Sequence, residues 1–168
     1  GDYYNENGKR GVVFEVWDNG RHGKIVSLDE TETQWDSHLE RTGHGYINGT
    51  KTGANSSSDG KANTDKVMNR ADSRYFEAFV WCRNKGADWY LPAINELMTI
   101  YNNRSAINST LAKYGIKLDI DIYGYYWSST EYEDYKPEFC ARFVNMYVGS
   151  TDTNYKNRKY YVRAVSAF

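Results

Sequence analysis

Residues 89–97 read Trp-Tyr-Leu-Pro-Ala-Ile-Asn-Glu-Leu, and this stretch leads from two aromatic residues into a helix. Proline costs no hydrogen bond at the first helical position, because the first N–H groups of a helix have no partner within it, so Pro92 fixes the start. Glu96 lies in the first turns, where the helix dipole favours a carboxylate. The apolar side chains on one face are Ile94, Leu97, Met98 and Tyr101. The stretch therefore predicts a helix that packs on the core.

Two further segments have helical patterns. The residues that recur at spacings of four, four, four and three are Val67, Ala71, Tyr75, Phe79 and Cys82. They predict one helix that is capped by Asn63 or Thr64 and runs to about Lys85. A short helix is predicted over residues 105–114, where Ser105 is the cap and Gly115 ends it.

The remaining segments have strand and loop patterns. Residues 11–30 predict a hairpin, because Asp18-Asn19-Gly20 separates two apolar runs. Strands are also predicted over residues 125–130, 139–148 and 160–167. The polar residues 31–61 predict a loop pinned by Trp35, and residues 149–159 predict a connection. The order predicts an α+β fold with an antiparallel sheet, two main helices and an N-terminal hairpin.

The composition bounds the possible functions. The chain has 168 residues, of which 40% are hydrophobic and 26% charged, enough for one folded domain. A net charge of −1 gives no attraction to nucleic acid or an anionic membrane. No apolar run approaches the roughly 20 residues of a membrane span. We expect one domain over residues 1–168, with Gly1 as a candidate cloning scar.

Tyrosine is unusually frequent, and ten of the 16 tyrosines lie from Tyr114 onward. Tyrosine provides a large, stiff contact area and a hydroxyl at little entropic cost, which is why binding surfaces use it. Strands also favour tyrosine, but here the cluster extends into segments predicted as loop. The composition therefore predicts a binding surface in the C-terminal part of the chain.

Three motifs occur together, namely residues 89–97, Tyr126-Trp127-Ser128-Ser129-Thr130-Glu131 and Tyr161-Val162-Arg163-Ala164-Val165. In this order and at this spacing they resemble the bacterial DUF1566 family, whose fold is C-type-lectin-like. Residues 23–28 and 79–82 also look like those of Bacteroides-type members, so the resemblance spans nearly the whole chain.

Each motif also has a scaffold interpretation. Trp127 can pack beneath the helix that follows Pro92, and the hydroxyls of residues 128–130 can form hydrogen bonds at the strand end. Arg163 can pair with Glu96 or Glu131.

The resemblance implies a secreted, non-catalytic ligand-binding protein of the cell surface. A lipid anchor in the full-length protein is one way in which it could be held there. Its expected partner is a protein or glycan on a cell surface, with other fibre subunits as a further possibility, and neither nucleic acid nor direct membrane insertion is expected. One alternative is a structural or tip subunit of a bacterial surface fibre. A second is an oxidase like the formylglycine-generating enzymes, which share the fold and use a cysteine pair.

Some such proteins are similar to the variable proteins of diversity-generating retroelements, whose genes are mutated at adenines. An Asn codon of the AAC type then yields Asn, Tyr, Ser, Asp, Thr and several others. These five types fill 14 of the 31 positions in residues 131–161 and 9 of the 13 in residues 149–161. A polar surface loop has a similar composition, so both interpretations stay open.

The predicted ligand contacts lie in this segment, with tyrosines as anchors and Asn, Asp and Arg as hydrogen-bonding groups. They are Tyr132, Asp134, Tyr135, Arg142, Asn145, Tyr147, Asp152, Asn154, Tyr155, Asn157 and Tyr160.

The sequence indicates no catalytic or metal centre, and no cofactor is expected. His22, His38 and His44 lie in predicted loops without a zinc spacing, and we expect them to be solvated. Asp119, Asp121 and residues 131–134 offer oxygen ligands for calcium, but without an EF-hand spacing. No nucleotide-binding glycine motif occurs.

Two cysteines, Cys82 and Cys140, are too few for a disulfide framework. Cys82 lies in an apolar helical stretch, which favours a buried side chain, and a bridge between the two stays open. We therefore predict that the protein is not an enzyme.

Overall fold

The computed structural model describes residues 1–118 and 123–168, which form twelve strands and four α-helices. The strands are β1 (Tyr3–Glu6), β2 (Lys9–Trp17), β3 (His22–Val26), β4 (Thr31–Thr33), β5 (Glu40–Thr42), β6 (Gly45–Ile47), β7 (Trp89–Tyr90), β8 (Tyr125–Glu131), β9 (Cys140–Asn145), β10 (Thr151–Tyr155), β11 (Tyr160–Val162) and β12 (Val165–Ala167). The helices are α1 (Gly60–Met68), α2 (Glu77–Arg83), α3 (Ile94–Asn102) and α4 (Arg104–Leu111). In this part of the chain, each helix is too short or too polar to cross a membrane.

Two five-stranded sheets organise the fold. Their strand orders are β1-β2-β3-β12-β7 and β10-β9-β8-β11-β4. Neighbouring strands are antiparallel, except that β11 pairs in parallel with β8 where Tyr161 lies opposite Tyr126. Strands β5 and β6 form a separate hairpin. The predicted α+β class is confirmed, with two main sheets instead of one.

The predicted N-terminal hairpin is formed by β2 and β3. Its turn holds Asp18 and Asn19 at φ values of 51° and 53°, a region that Asp and Asn tolerate better than other residues with a side chain. The last strand, β12, pairs with both β3 and β7. The C-terminal strand β12 therefore joins the N-terminal hairpin to β7 within the first sheet.

The second sheet has a hydrophobic cluster on each face, because successive side chains of a strand point to opposite sides. Tyr126 of β8 belongs to a cluster with Ile94 and Leu97 of α3. Trp127, the next residue, belongs to a cluster with Trp35 and Phe79. Trp127 therefore packs on the side of α2, not beneath α3 as the sequence suggested.

The single helix predicted from residue 64 to about residue 85 is wrong. Asp59 is the observed cap, since its carboxylate accepts the N–H of Ala62 at 2.9 Å, and α1 ends at Met68. Residues 69–76 leave the helix, and the Tyr75 carbonyl accepts hydrogen bonds from both the backbone N–H and the hydroxyl of Ser37. Local periodicity could not reveal this pairing with a loop 38 residues earlier in the chain.

Helix α3 begins at Ile94, just after Pro92, close to its predicted start. The Glu96 carboxylate accepts the N–H groups of Ala93 and Gly60 at 3.0 and 2.8 Å, which joins the starts of α1 and α3. A Cβ at Gly60 would lie 2.6 Å from the backbone of both Ala93 and Leu91, so only glycine permits this approach.

The C-terminal predictions need three corrections. The segment 149–159, predicted as a connection, contains the strand β10. The strand predicted over residues 139–148 is shorter, Cys140–Asn145. The strand predicted over residues 160–167 is divided, because the chain crosses from the second sheet to the first at residues 163–164, where Ser27 and Ala164 bond each other.

The predicted loop of residues 31–61 also contains strands β4, β5 and β6. Trp35 anchors this segment as predicted. Its side chain is 0% exposed, and its indole N–H donates to the Ser128 carbonyl at 2.8 Å.

Arg163 pairs with neither predicted carboxylate. Its Nε donates to Glu30 at 2.7 Å, while Glu96 pairs with Lys24 and Glu131 pairs with Lys156.

Candidate ligand-binding groove

The hydroxyl groups at the end of β8 tie three segments together. The Thr130 hydroxyl donates to the Ser56 carbonyl at 2.9 Å and accepts the N–H of Ile94 at 3.0 Å. The Ser129 hydroxyl accepts from the amide of Asn63 at 3.0 Å. These are strand-end hydrogen bonds of the kind predicted for residues 128–130. They fix residues 55–57 beside β8.

A buried ion pair lies at the end of the same strand. Lys156 Nζ is 2.7 Å from Glu131 Oε2, and the two residues are 0% and 1% exposed. The ammonium also donates to the carbonyls of Thr50 and Pro137 at 2.9 and 2.7 Å, and lies 4.4 Å from the Trp35 ring centre.

The carboxylate of this pair is also saturated with hydrogen bonds. Glu131 accepts from the N–H and hydroxyl of Thr52, both at 2.8 Å, and from the N–H of Gly53 at 2.9 Å. Burial lowers the pKa of the Lys156 ammonium, and the neighbouring Glu131 opposes that shift. Lys156 therefore anchors the polar C-terminal segment to the loop before α1, a role that the sequence did not predict.

An open groove of about 480 Å³ lies above this anchor. Its walls come from residues 55–57, the end of β8 with the residues after it, and strands β9 and β10. The lining residues are Asn55, Ser57, Thr130, Glu131, Tyr132, Glu133, Asp134, Arg142, Thr151, Asp152 and Thr153.

Arg142 is the one basic residue that lines the groove. It is half-buried on β9, opposite Thr153 of β10. Within residues 1–118 and 123–168, its guanidinium makes neither a hydrogen bond nor an ion pair, while its backbone carbonyl accepts from the Ser128 hydroxyl. The five N–H donors of this side chain are therefore available to a ligand.

Three exposed carboxylates surround the groove. Glu133 accepts from the Asn55 amide at 2.8 Å, and Asp134 and Asp152 complete the set. Together with Arg142, they give the rim both hydrogen-bond donors and acceptors of full charge.

Four of the eleven predicted contact residues line this groove, namely Tyr132, Asp134, Arg142 and Asp152. The other seven lining residues were not among the predicted contacts, namely Asn55, Ser57, Thr130, Glu131, Glu133, Thr151 and Thr153. Thr151 and Thr153 belong to the composition-biased segment that the sequence signalled. Nothing local to residues 55–57 signals their approach, which depends on the contacts of Thr130.

Two predicted tyrosines, Tyr155 and Tyr135, are not among the residues that line the groove. The ring of Tyr155 stacks on Tyr46 of β6 with centres 3.7 Å apart and 14° between planes. Tyr135 is 61% exposed, and the Lys136 ammonium lies 5.0 Å from its ring centre. Tyr155 therefore holds the hairpin in place, in addition to any contact with a ligand.

Tyr160 and Asn154 lie together at an aromatic cluster. The Tyr160 ring packs 4.7 Å from Trp127 and 4.9 Å from Phe143, and its hydroxyl accepts from the Asn154 amide at 2.6 Å. A second hollow, of about 290 Å³, begins beside this cluster and is lined by Tyr123 and Tyr125 among others.

Of the last three predicted residues, Asn145 ends β9, and Tyr147 and Asn157 lie in turns. Asn145 accepts the N–H of Tyr147 at 2.8 Å, and the Tyr147 side chain is 55% exposed. The Asn157 side-chain oxygen is buried and has no partner among the described residues. The eleven residues therefore form several surfaces, and four of them line the groove.

The histidines differ in environment. His22 and His44 are exposed, as predicted, but His38 is half-buried. Its Nδ1 lies 2.6 Å from Asp36 and its Nε2 lies 3.4 Å from Asp72. Burial raises the pKa of Asp36, and hydrogen bonds from His38 oppose the shift. Outside residues 119–122, no group of three His, Cys, Asp or Glu is arranged to hold a metal ion, and the candidate calcium ligands Asp119 and Asp121 lie outside the described residues.

Both cysteines are free thiols, so the bridge left open by the sequence is not formed. Cys82 is buried as predicted, and burial strongly raises its pKa. Burial also raises the pKa of Cys140, which is half-buried. Both thiols are therefore held in their protonated, poorly nucleophilic form.

The chain is similar to known proteins in two respects. Residues 24–166 match the family described as the Lcl C-terminal domain. The fold is similar to that of a fimbrial protein from Bacteroides ovatus, with a TM-score of 0.63 and 22% identity, over 87% of this chain and 36% of that one. The chain thus spans little more than a third of the length of the fimbrial protein, and the likeness is one of fold. No curated protein matches the sequence.

Proposed function

Because the chain belongs to the Lcl C-terminal domain family, we propose that it is a non-catalytic domain that binds a ligand at the cell surface. We assign it a C-type-lectin-like fold, formed as one domain over residues 1–168, with the groove above the Glu131–Lys156 ion pair as its binding site. The expected ligand is a protein or glycan of another cell surface.

The observation that carries this proposal is the free Arg142 guanidinium in a formed groove. Arg142 is half-buried, so its guanidinium has lost some hydrogen bonds to water, and no described residue replaces them. A ligand that accepts hydrogen bonds from the guanidinium replaces those lost to burial. The groove volume of about 480 Å³ is within the range of ligand sites.

The support beneath the groove also favours binding. The backbone of β8 and residues 55–57 are fixed by the hydroxyls of Ser129 and Thr130, and the turn at residue 156 is fixed by the buried ion pair. Polar side chains on such a fixed support lose little conformational freedom when a ligand binds.

Arg142→Ala is expected to weaken binding about tenfold or more, because a charge-assisted hydrogen bond contributes about 1.5–3 kcal/mol. The ligand is first identified by screening the purified domain against glycans and host-surface proteins, with calcium and with a chelator. Affinity is then measured by calorimetry.

Arg21→Ala is the matched control, because Arg21 is an exposed arginine in the β2–β3 turn and its loss changes the net charge equally. Unchanged affinity in Arg142→Ala, with an unchanged melting temperature, would exclude the groove as the site.

We further propose that the accessible positions of residues 132–160 vary between copies of the gene, as in the target proteins of diversity-generating retroelements. All eleven predicted contact residues are exposed or half-buried, while Ala141, Phe143, Val144, Met146 and Lys156 between them are buried. This interleaving supports a surface that can change while its support stays constant.

Sequencing the gene from many cells of one population tests this variability. We expect substitutions at adenine-containing codons of the accessible positions, with Phe143 and Lys156 constant. Substitutions that are spread evenly over the gene would contradict it.

A subunit of a surface fibre is the second candidate, favoured by the fold shared with a fimbrial protein. In that case the same C-terminal surface packs against another subunit. Co-purification of a stoichiometric complex with a fibre protein, lost in Arg142→Ala, would favour this function over binding of a foreign ligand.

The oxidase alternative has little support. A copper-bound cysteine pair requires thiolates, whereas burial raises the pKa of both Cys82 and Cys140. Tight binding of copper to these thiols in a titration would reverse our proposal that the domain is not an enzyme.

A further inference from the structure

Strand β10 forms one edge of the second sheet and, among the strands of residues 1–118 and 123–168, pairs only with β9. An edge strand normally presents unpaired N–H and C=O groups on its outer side, and these can pair with a strand of another molecule. In a protein of the cell surface, such an edge is a potential site of uncontrolled association.

Two hydrogen bonds identify which backbone groups of β10 point outward. Asn145 N–H donates to Ser150, and Lys156 N–H donates to Phe139, at the two ends of the β9–β10 ladder. In an antiparallel pair the bonding residues alternate, so Asp152 and Asn154 bond β9. The N–H groups of the alternate residues Thr151, Thr153 and Tyr155 therefore face away from the sheet.

Two of these outward N–H groups, those of Thr153 and Tyr155, are already used by side chains of the same strand. Thr153 N–H donates to Asp152 Oδ1, and Tyr155 N–H donates to Asn154 Oδ1, both at 2.8 Å. The Tyr155 carbonyl accepts from Arg158 N–H at 3.0 Å. The Asn154 amide is itself held in position, because its Nδ2 donates to the Tyr160 hydroxyl.

We propose that Asp152 and Asn154 close the outer edge of β10 against strand pairing, above all against β10 of a second copy of this chain. An incoming strand would have to displace two formed hydrogen bonds at adjacent outward positions before it gained its own. Partners of the domain, whether a ligand or a fibre subunit, therefore contact β10 through its side chains and not by adding a strand to its edge.

The test compares self-association of the wild-type chain and the Asp152→Ala/Asn154→Ala variant by sedimentation velocity over a concentration series. Freeing two donors is expected to strengthen self-association at least about tenfold. In dilute samples, where the variant is monomeric, the amide hydrogens of Thr153 and Tyr155 should exchange faster than in the wild type. At concentrations where the variant self-associates, the exchange of these two amide hydrogens should become slow again.

Two variants separate the hydrogen bonds from other causes. Asp152→Asn keeps an oxygen that can accept from Thr153 N–H but removes the charge, so we expect it to behave as the wild type. Thr151→Ala/Thr153→Ala truncates the same strand without removing either acceptor, and should also stay as the wild type.

Wild-type self-association in the double alanine variant would overturn the proposal. So would equally strong association of Asp152→Asn, because repulsion of charge and not hydrogen bonding would then protect the edge. If the double variant unfolds, Asp152→Ala alone frees one donor and is expected to show the same changes with smaller amplitude. None of these outcomes depends on whether the groove binds a ligand.

Discussion

Lys156→Ala is expected to destabilise the protein by about 3–5 kcal/mol, because it leaves the Glu131 carboxylate buried without its counter-ion. The carbonyls of Thr50 and Pro137 also lose a donor. For a chain of this length the melting temperature should fall by roughly 10 °C. Urea unfolding followed by circular dichroism measures the free-energy difference.

Lys61→Ala is the control, because Lys61 pairs with Asp65 at 3.0 Å on the exposed surface of α1. Exposed ion pairs contribute little, so a change within about 0.5 kcal/mol is expected. Lys156→Met combined with Glu131→Gln removes both charges and should cost less than the sum of the single changes. A loss below about 1 kcal/mol in Lys156→Ala would show that the pair is not the anchor we describe.

Arg163→Ala should be comparably severe, at about 3–5 kcal/mol. The guanidinium donates to Glu30 and to the carbonyls of Ser27, Leu28 and Lys117, all within 2.9 Å, and the residue is 2% exposed. These partners surround the point where the chain crosses between the two sheets. Loss of these hydrogen bonds should destabilise both sheets together. The melting temperatures measured by far-UV and by near-UV circular dichroism should therefore fall by the same amount.

Arg163→Lys distinguishes the charge from the geometry. Lysine keeps the charge next to Glu30 but cannot reach four acceptors in different directions, so most of the loss should remain. Recovery of wild-type stability in Arg163→Lys would mean that the ion pair alone matters. Arg21→Ala serves again as the exposed control, with no measurable loss expected.

These two networks show how the variable surface that we propose and a stable fold can coexist in one segment. Lys156 and Arg163 lie on either side of Tyr160, and both are buried. The predicted contact residues that line the groove are exposed or half-buried, and substitutions at such surface positions usually change stability by less than about 0.5 kcal/mol. Tyr155 is an exception, because its stacking on Tyr46 ties it to the β5–β6 hairpin.

The sequence by itself determined the elements that depend on neighbouring residues. Pro92 and the apolar spacing that follows it predicted α3, and the turn at residues 18–20 predicted the β2–β3 hairpin. The order of these elements was enough for the α+β class. Local chemistry is sufficient here, because turn geometry and side-chain periodicity act over a few residues.

Only the tertiary structure decided which distant groups meet. Lys156 and Glu131 are 25 residues apart, Asn55 and Glu133 are 78 apart, and Arg163 and Glu30 are 133 apart. A carboxylate offers the same chemistry to any cation, so composition could not choose among Glu30, Glu96 and Glu131 for Arg163. For the same reason, the sequence did not predict the break between α1 and α2, the strand β10 or the wall of the groove at residues 55–57. Each is stabilised by contacts that form only when the two sheets close around the core.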